Sequence, residues 1–295
     1  MDPVFDSDQL LRQRLRAARR PEAGADFLMR HVCEDLELRL SGVERQFGRA
    51  ADLFSRSPLP ARAMARSGRV DRTVRVEASR ELLGDGDGLV SPPETVPFDP
   101  ASLDLAVSIL SLQEVNDLPG LLVQARRALR PDGLFLAAFA GHGTLVELKE
   151  SLLAAETELH GGASPRVAPF ADIRDAGSLL QRAGFALPVA DVEPVTVRYG
   201  TMFDLMRDLR AMGAGNALAA RSRRPAPRAL FSRAAQIYAD RFADPDGRVR
   251  ATFSIVWMSG WVPHESQQKP LKPGSARASL AAALEQAGGK DRPRR

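Results

Sequence analysis

The sequence is short of several residues, and each shortage excludes something. Cys33 is the one cysteine in 295 residues, which rules out a disulfide framework and any Cys-rich zinc or iron–sulfur site built from this chain. Lysine is almost missing: Lys149, Lys269, Lys272 and Lys290 are the four lysines among 41 basic residues, and 37 acids nearly cancel the total. A balance this even is no footprint of nucleic-acid binding, so no nucleic-acid partner is expected. No apolar run approaches the ~18 residues of a membrane span. The opening MDPVFDSDQ carries Asp2, Asp6 and Asp8 and no apolar core, unlike a secretory signal or an acid-poor transit peptide. The expected compartment is the cytoplasm. What remains is ordinary globular material, 44% hydrophobic and 26% charged, enough for about two domains or one domain with extensions.

The hydrophobic pattern is helical at the start. Residues 7–20 repeat Leu10, Leu11 and Leu15 at helical spacing on a basic background, with Ser7 as the expected cap. Residues 25–41 place Phe27, Leu28, Val32, Leu36 and Leu40 on one stripe. From residue 50 the pattern alternates between strand and helix. Strands are expected at 50–54, 70–77, 88–90, 103–112, 134–140, 189–199 and 249–258, with a PDG turn at 131–133. LDLAVSILSL, from Leu103, is an unbroken apolar run, as in a strand buried on both faces of a parallel sheet. Asn116 or Asp117 is placed to cap a helix that has Pro119 in its first turn, and Gly184 to end another. The expected fold is therefore α/β: three layers around a mostly parallel sheet with an antiparallel last strand. In such sheets the functional residues gather at the C-terminal ends of the strands, here 54–58, 77–79, 91–94 and 111–116. The expected division is an N-terminal helical segment at 1–45, a main domain at 46–262 with a helical insertion at about 200–245, and a strap and basic tail at 263–295.

From Phe98 the chain reads FDPASLDLAVSILSLQEVNDLPG, RRALRPDGLFLAAFAG and LKESLLAAETELHGGASPRVAPFADIRDAGSLLQRAGF. These stretches resemble the second half of a class I S-adenosylmethionine (AdoMet) methyltransferase domain. MFDLMRDLRAMG, the C-terminal HESQQKP and the N-terminal FDSDQLLRQRLRAARR are similar to one branch, the respiratory complex I assembly factor 5 family, which is related to the malonyl-carrier-protein methyltransferases of biotin synthesis. The resemblance implies a seven-stranded Rossmann-like sheet in the order 3-2-1-4-5-7-6. It also implies AdoMet as cofactor, a complex I subunit as partner, and methylation or arginine hydroxylation of that subunit. Peripheral contact with the inner membrane and the oligomeric state are left open.

AdoMet binding in this fold needs a Gly-rich turn after the first strand, an acid ending the second to hold the ribose, and an Asp after the third for adenine. Here Asp52 and Leu53 match the first element, but Phe54, Ser55, Arg56, Ser57 and Pro58 stand where DLGxGxG is expected. Glycine is the residue expected to permit the positive φ and the close approach of such a turn, so side chains are expected to fill the space of the cofactor's tail. Glu77 follows Asp52 by 25 residues and is the ribose acid. Pro92 takes the adenine Asp position, with Glu94 nearby. After the fourth strand the family's SLHWVND reads SLQEVND, so Gln113 replaces a proton-shuttling His and Glu114 an aromatic. The candidate cofactor residues are Asp52, Ser55, Glu77, Glu94, Ser108, Leu110 and Gln113; the catalytic candidates are Gln113 and His142, the latter in AGHGTL after the fifth strand. No metal site is expected, because His31-x-Cys33 lacks further ligands. Arg221, Arg223, Arg224, Arg228 and Arg233 form a basic cluster suited to an acidic protein surface or anionic lipid. Two further readings stand beside the enzyme: a non-catalytic assembly scaffold and a carrier-protein carboxyl methyltransferase.

Overall fold

The computed structural model describes residues 2–267. Met1–Pro263 form one compact unit, and His264–Arg295 fall in a second. The expected basic tail and most of the strap lie outside the described residues. Within the first unit, one sheet holds β1 (Ala50–Leu53), β2 (Thr73–Glu77), β3 (Gly88–Val90), β4 (Leu103–Ile109), β5 (Leu129–Ala140), β6 (Ala186–Tyr199) and β7 (Val249–Trp261). Their order is β3-β2-β1-β4-β5-β7-β6, as the resemblance implies. Strands β1 to β5 pair in parallel, and β7 runs antiparallel to both β5 and β6.

Alternation along the strands makes the three layers. Leu134, Leu136 and Ala138 of β5 enter a core shared with α2 (Phe27–Ser41), α3 (Leu59–Arg66), α6 (Val146–His160), α8 (Met202–Ala211) and α9 (Arg228–Phe242). Phe135, Ala137 and Phe139 enter the opposite core, against α5 (Leu118–Ala128) and α7 (Ile173–Arg182). Each residue step along a strand reverses the face, so a continuous apolar run serves both cores at once. The remaining helices are α1 (Ser7–Arg19), joined to residues 217–218 through Phe5 and Leu10, and the short α4 (Arg80–Leu83).

Local signals behave as expected at two helix ends. The Asp117 carboxylate accepts from the Gly120 N–H at 2.9 Å and caps α5. Gly184, at φ 86°, ends α7 with Phe185 N–H donating to the Leu180 carbonyl and Gly184 N–H to that of Gln181, the paired bonds of a Schellman motif. Two expectations are corrected. The cap of α1 is Asp6, whose carboxylate accepts from the Gln9 N–H at 3.0 Å, one residue before Ser7. The PDG segment is a bulge inside β5 instead of a turn before it. Leu103 pairs with Leu129 and Leu105 with Leu134, so five steps of β5 span two of β4, with Asp132 at φ 61°.

Candidate site at the C-terminal edge of the sheet

The turn between β1 and α3 keeps left-handed backbone without glycine. Phe54 has φ 59° and Arg56 φ 61°, the positions at which the DLGxGxG pattern implied by the resemblance would place glycine. The expectation that glycine is required there is thus corrected. An L-residue in this region costs about 1–2 kcal/mol, so the neighbours must hold it. They do: Phe54 N–H donates to the Val76 carbonyl at 2.8 Å, Arg56 N–H to Glu77 Oε1 at 2.6 Å, and Ile109 N–H to Ser55 Oγ at 3.0 Å. Ser108 Oγ in turn donates to the Leu53 carbonyl at 3.0 Å. The turn is stitched to the strand on each side of β1.

Beneath the turn lies a sealed group of charges. Asp52, Arg75 and Glu77 are all buried. Arg75 Nη2 is 3.3 Å from Glu77 Oε1, and its Nε is 3.8 Å from Asp52 Oδ2. No hydrogen bond from the described residues reaches either Asp52 oxygen. Burial pushes the Asp52 carboxyl up to about 7; the nearby Ser55 hydroxyl, outside hydrogen-bond geometry, opposes the rise, the Glu77 charge adds to it and Arg75 opposes it. Burial likewise raises Glu77 to about 6 against the pull of Arg75.

Above the turn, the Arg56 guanidinium donates through Nη2 to the Leu110 carbonyl, and Gln113 Nε2 donates to the same oxygen at 2.8 Å. Arg56 Nη1 stands 3.6 Å from Glu114 Oε2, and Arg14 of α1 holds that oxygen at 2.6 Å. Burial and the neighbouring Arg14 lower Arg56 to about 10. Glu94, at φ 64°, accepts from Asn116 N–H at 2.8 Å and Asp117 N–H at 2.9 Å, so its carboxylate braces the loop before α5.

Two cavities adjoin this assembly. The larger, about 670 Å³, is walled by Ser55, Arg56, Leu110 and Gln113 at one end and by residues of α1, α2, α6 and α8 beyond. The smaller, about 30 Å³, lies beside Pro93, Glu94 and Ser111 and is covered by Leu10, Leu11 and Arg14. It suits a water or two.

The candidate residues therefore divide. Ser55, Leu110 and Gln113 line the large cavity; Asp52, Glu77 and Ser108 are closed off below it; Glu94 borders the small one. His142 is exposed and outside the cavity wall, and its N–H donates to the Ala171 carbonyl at 2.9 Å. Arg14, Arg56 and Glu114 were not among the sequence candidates. The available signal was that Arg56 and Glu114 replace neutral residues with opposite charges on loops that β1–β4 pairing brings together. Among the described residues no cluster of His, Cys, Asp and Glu could hold a metal ion. His31 instead pairs with Glu193 at 2.9 Å, and Cys33 is buried, its thiol pushed up to about 12 by burial. The basic cluster is partly neutralised, with Arg221 on Asp6 at 2.9 Å and Arg233 on Glu158 at 2.6 Å.

A model of the "Methyltransferase domain" family matches residues 57–137. The human protein arginine-hydroxylase NDUFAF5, mitochondrial, is 36% identical over 290 residues, 94% of this chain and 82% of that one. The chain belongs to the NDUFAF5 family. The Dictyostelium discoideum protein of the same name is 39% identical over 85% of this chain, which spans 63% of that longer relative. A malonyl-[acyl-carrier protein] O-methyltransferase of Laribacter hongkongensis is 33% identical, covering 85% of this chain and 88% of its own length. Among solved structures, YcgJ of Bacillus subtilis superposes with a TM-score of 0.54 at 13% identity, over 78% of this chain and 99% of that one. The fold is that of the class I methyltransferases.

That fold implies AdoMet, and the residues present do not fit it at the family position. Glu77 Oε1 is taken by the Arg56 N–H and Arg75, the cavity beside Glu94 is only about 30 Å³, too small for a nucleobase, and the Arg56 side chain runs from the turn to the Leu110 carbonyl. No helix among the described residues is long and apolar enough to cross a membrane.

Proposed function

We propose that this protein serves the assembly of respiratory NADH:quinone oxidoreductase by engaging a client subunit at the C-terminal edge of its sheet, without AdoMet in the position used by the fold family. The client rests on the family and on the name of its human relative, arginine-hydroxylase NDUFAF5. The cofactor-free reading is carried by one observation: the Arg56 N–H is held by Glu77 and its guanidinium reaches the Leu110 carbonyl beside Glu114, so the chain's own side chain occupies the turn. A nucleoside would have to break charge-assisted bonds worth about 1.5–3 kcal/mol each before making its own. Isothermal titration of the full chain with AdoMet and S-adenosylhomocysteine tests this: no binding is expected up to millimolar ligand, and a micromolar Kd overturns it. Deletion of the gene should lower NADH:quinone activity in membranes; unchanged activity would remove the assembly role.

A second reading is modification of the client, by methylation or arginine hydroxylation. The large cavity favours it, since about 670 Å³ lies within the range of small-molecule sites and opens beside Gln113. Mass spectrometry of the client from wild-type and deletion strains separates the two. A one-oxygen or one-methyl increment that disappears on deletion supports modification, and identical masses support the cofactor-free assembly role.

A further inference from the structure

We propose that the large cavity is a binding site for a fatty-acyl amphiphile, its aliphatic chain among the leucines and its acceptor head group at Arg56 and Arg14. This assignment is independent of the cofactor-free client reading above and competes with the second, modification reading for the same cavity. The cavity has two unlike ends. Away from the turn its wall is aliphatic and aromatic, drawn from Leu28 of α2, Leu148 and Leu152 of α6, Met206 and Leu209 of α8, and Phe253 of β7. Such a surface recovers free energy only by meeting another apolar surface, and a straight methylene chain supplies it with few polar groups to desolvate.

The other end is polar and short of acceptors. Arg56 Nη1 and Arg14 Nε are buried without a hydrogen-bond partner among the described residues, against one unpartnered acceptor there, Gln113 Oε1. Both guanidinia meet at Glu114 Oε2, so the two donors belong to one cluster. The charges around the wall point the same way. Five arginines (14, 30, 56, 166 and 210) face three acids, Glu22, Asp26 and Glu114. Asp26 is committed to Arg30 at 2.7 Å, Arg166 to Glu156 at 2.7 Å, and Glu114 is shared by Arg14 and Arg56, so the uncompensated charge lies on Arg210 and on the Arg14–Arg56 pair. Among the described residues Arg210 makes no ion pair. A cationic head such as an amine or a guanidinium meets repulsion; a carboxylate or acyl carbonyl meets donors.

The test uses the full chain stripped of co-purifying lipid, with octanoate, decanoate and dodecanoate as probes and dodecylamine as the head-group control, read by calorimetry and by the shift in unfolding midpoint. Dodecanoate is expected to bind and to raise the midpoint. Affinity should rise about fourfold per added methylene, the increment of a buried CH₂. Dodecylamine should bind roughly tenfold or more weakly than dodecanoate, the loss of one charge-assisted contact. Leu152→Trp, which fills the apolar end, should abolish dodecanoate binding; Met206→Trp serves the same end where the first variant does not fold. Arg56→Gln should weaken binding about tenfold and leave the chain-length dependence unchanged. Absence of binding by every probe, equal affinity for amine and carboxylate, or undiminished binding to a folded tryptophan variant would each overturn the assignment.

Discussion

Arg56 and Glu114 face each other at 3.6 Å, one on the turn after β1 and the other just beyond β4. Each departs from the pattern that the resemblance implies, a cation for a glycine and an anion for a tryptophan. Together they close the edge of the sheet with the chain's own side chains. Arg14 completes the closure from α1, and the side chains of Arg14 and Glu114 are each only 11% exposed. The loss of the Gly-rich motif is thus a replacement with its own internal bonding.

The strain at Arg56 gives the first prediction. Arg56→Ala keeps an L-residue at φ 61° and loses the contacts to Leu110 and Glu114. Arg56→Gly loses the same contacts but removes a left-handed cost of about 1–2 kcal/mol, offset by about 0.5–1 kcal/mol of added freedom in the unfolded chain. The glycine variant should be the more stable of the two by roughly 0.5–1 kcal/mol in urea unfolding. The reverse order would show that the backbone there is not strained.

The Glu114 cluster gives the second. Glu114→Ala leaves two guanidinia facing each other in a nearly closed site and should cost about 2–3 kcal/mol. Arg14→Ala leaves Glu114 with Arg56 still beside it and should cost less, about 1 kcal/mol. A double-mutant cycle on Arg14 and Glu114 should return a coupling of about 1–2 kcal/mol. A coupling near zero would mean that Arg14 adds nothing to the other contacts of α1, those of Leu10, Gln13 and Arg19.

Much of the fold could be read from the chain because its signals are local. The apolar runs of β4 and β5 each announce a strand buried on two faces, and Asp117 and Gly184 mark helix ends by their own chemistry. The misread places are those where a distant partner decides. PDG reads as a turn in isolation, yet β4 holds it in the sheet as a bulge. Phe54 and Arg56 read as residues unable to adopt a glycine's backbone, yet bonds to Val76 and Glu77 impose it. Arg14 lies 100 positions from Glu114, and nothing in the basic face of α1 singles it out from Arg12 or Arg16.

Two glycines far from any motif separate steric need from chance. A Cβ on Gly88 of β3 would sit 2.5 Å from the Arg75 carbonyl oxygen, inside the β2–β3 pairing that places Glu77. Gly88→Ala should therefore cost about 1–3 kcal/mol as an overpacked site. Gly177, within α7, has nothing within 4 Å of the same position. Gly177→Ala should stabilise by about 0.5–1 kcal/mol through helix propensity. Thermal unfolding of the pair should move in opposite directions, and a shared direction would contradict the packing described for β3.

The last prediction follows from Asp52, buried beside Glu77 with no hydrogen bond to its carboxylate from the described residues. Its folded pKa, about 7, lies above the ordinary carboxylate value of 3.8, so the folded state binds the proton more tightly than the unfolded one. The stability this contributes is fully present below about pH 4 and is lost as pH rises through 7. Glu77, raised to about 6, acts in the same sense. The carboxylates held low by surface arginines, such as Glu81 by Arg19, titrate below this window and do not reverse it. Stability should therefore fall between pH 5 and pH 8, with Asp52 contributing on the order of 3 kcal/mol at most. Asp52→Asn removes the titrating proton while keeping the shape, so the variant should be more stable than the parent at pH 8 and lose most of the slope. Urea unfolding of both proteins at pH 5, 6.5 and 8 measures it; an unchanged slope in the variant would show that Asp52 is charged and satisfied in the folded protein.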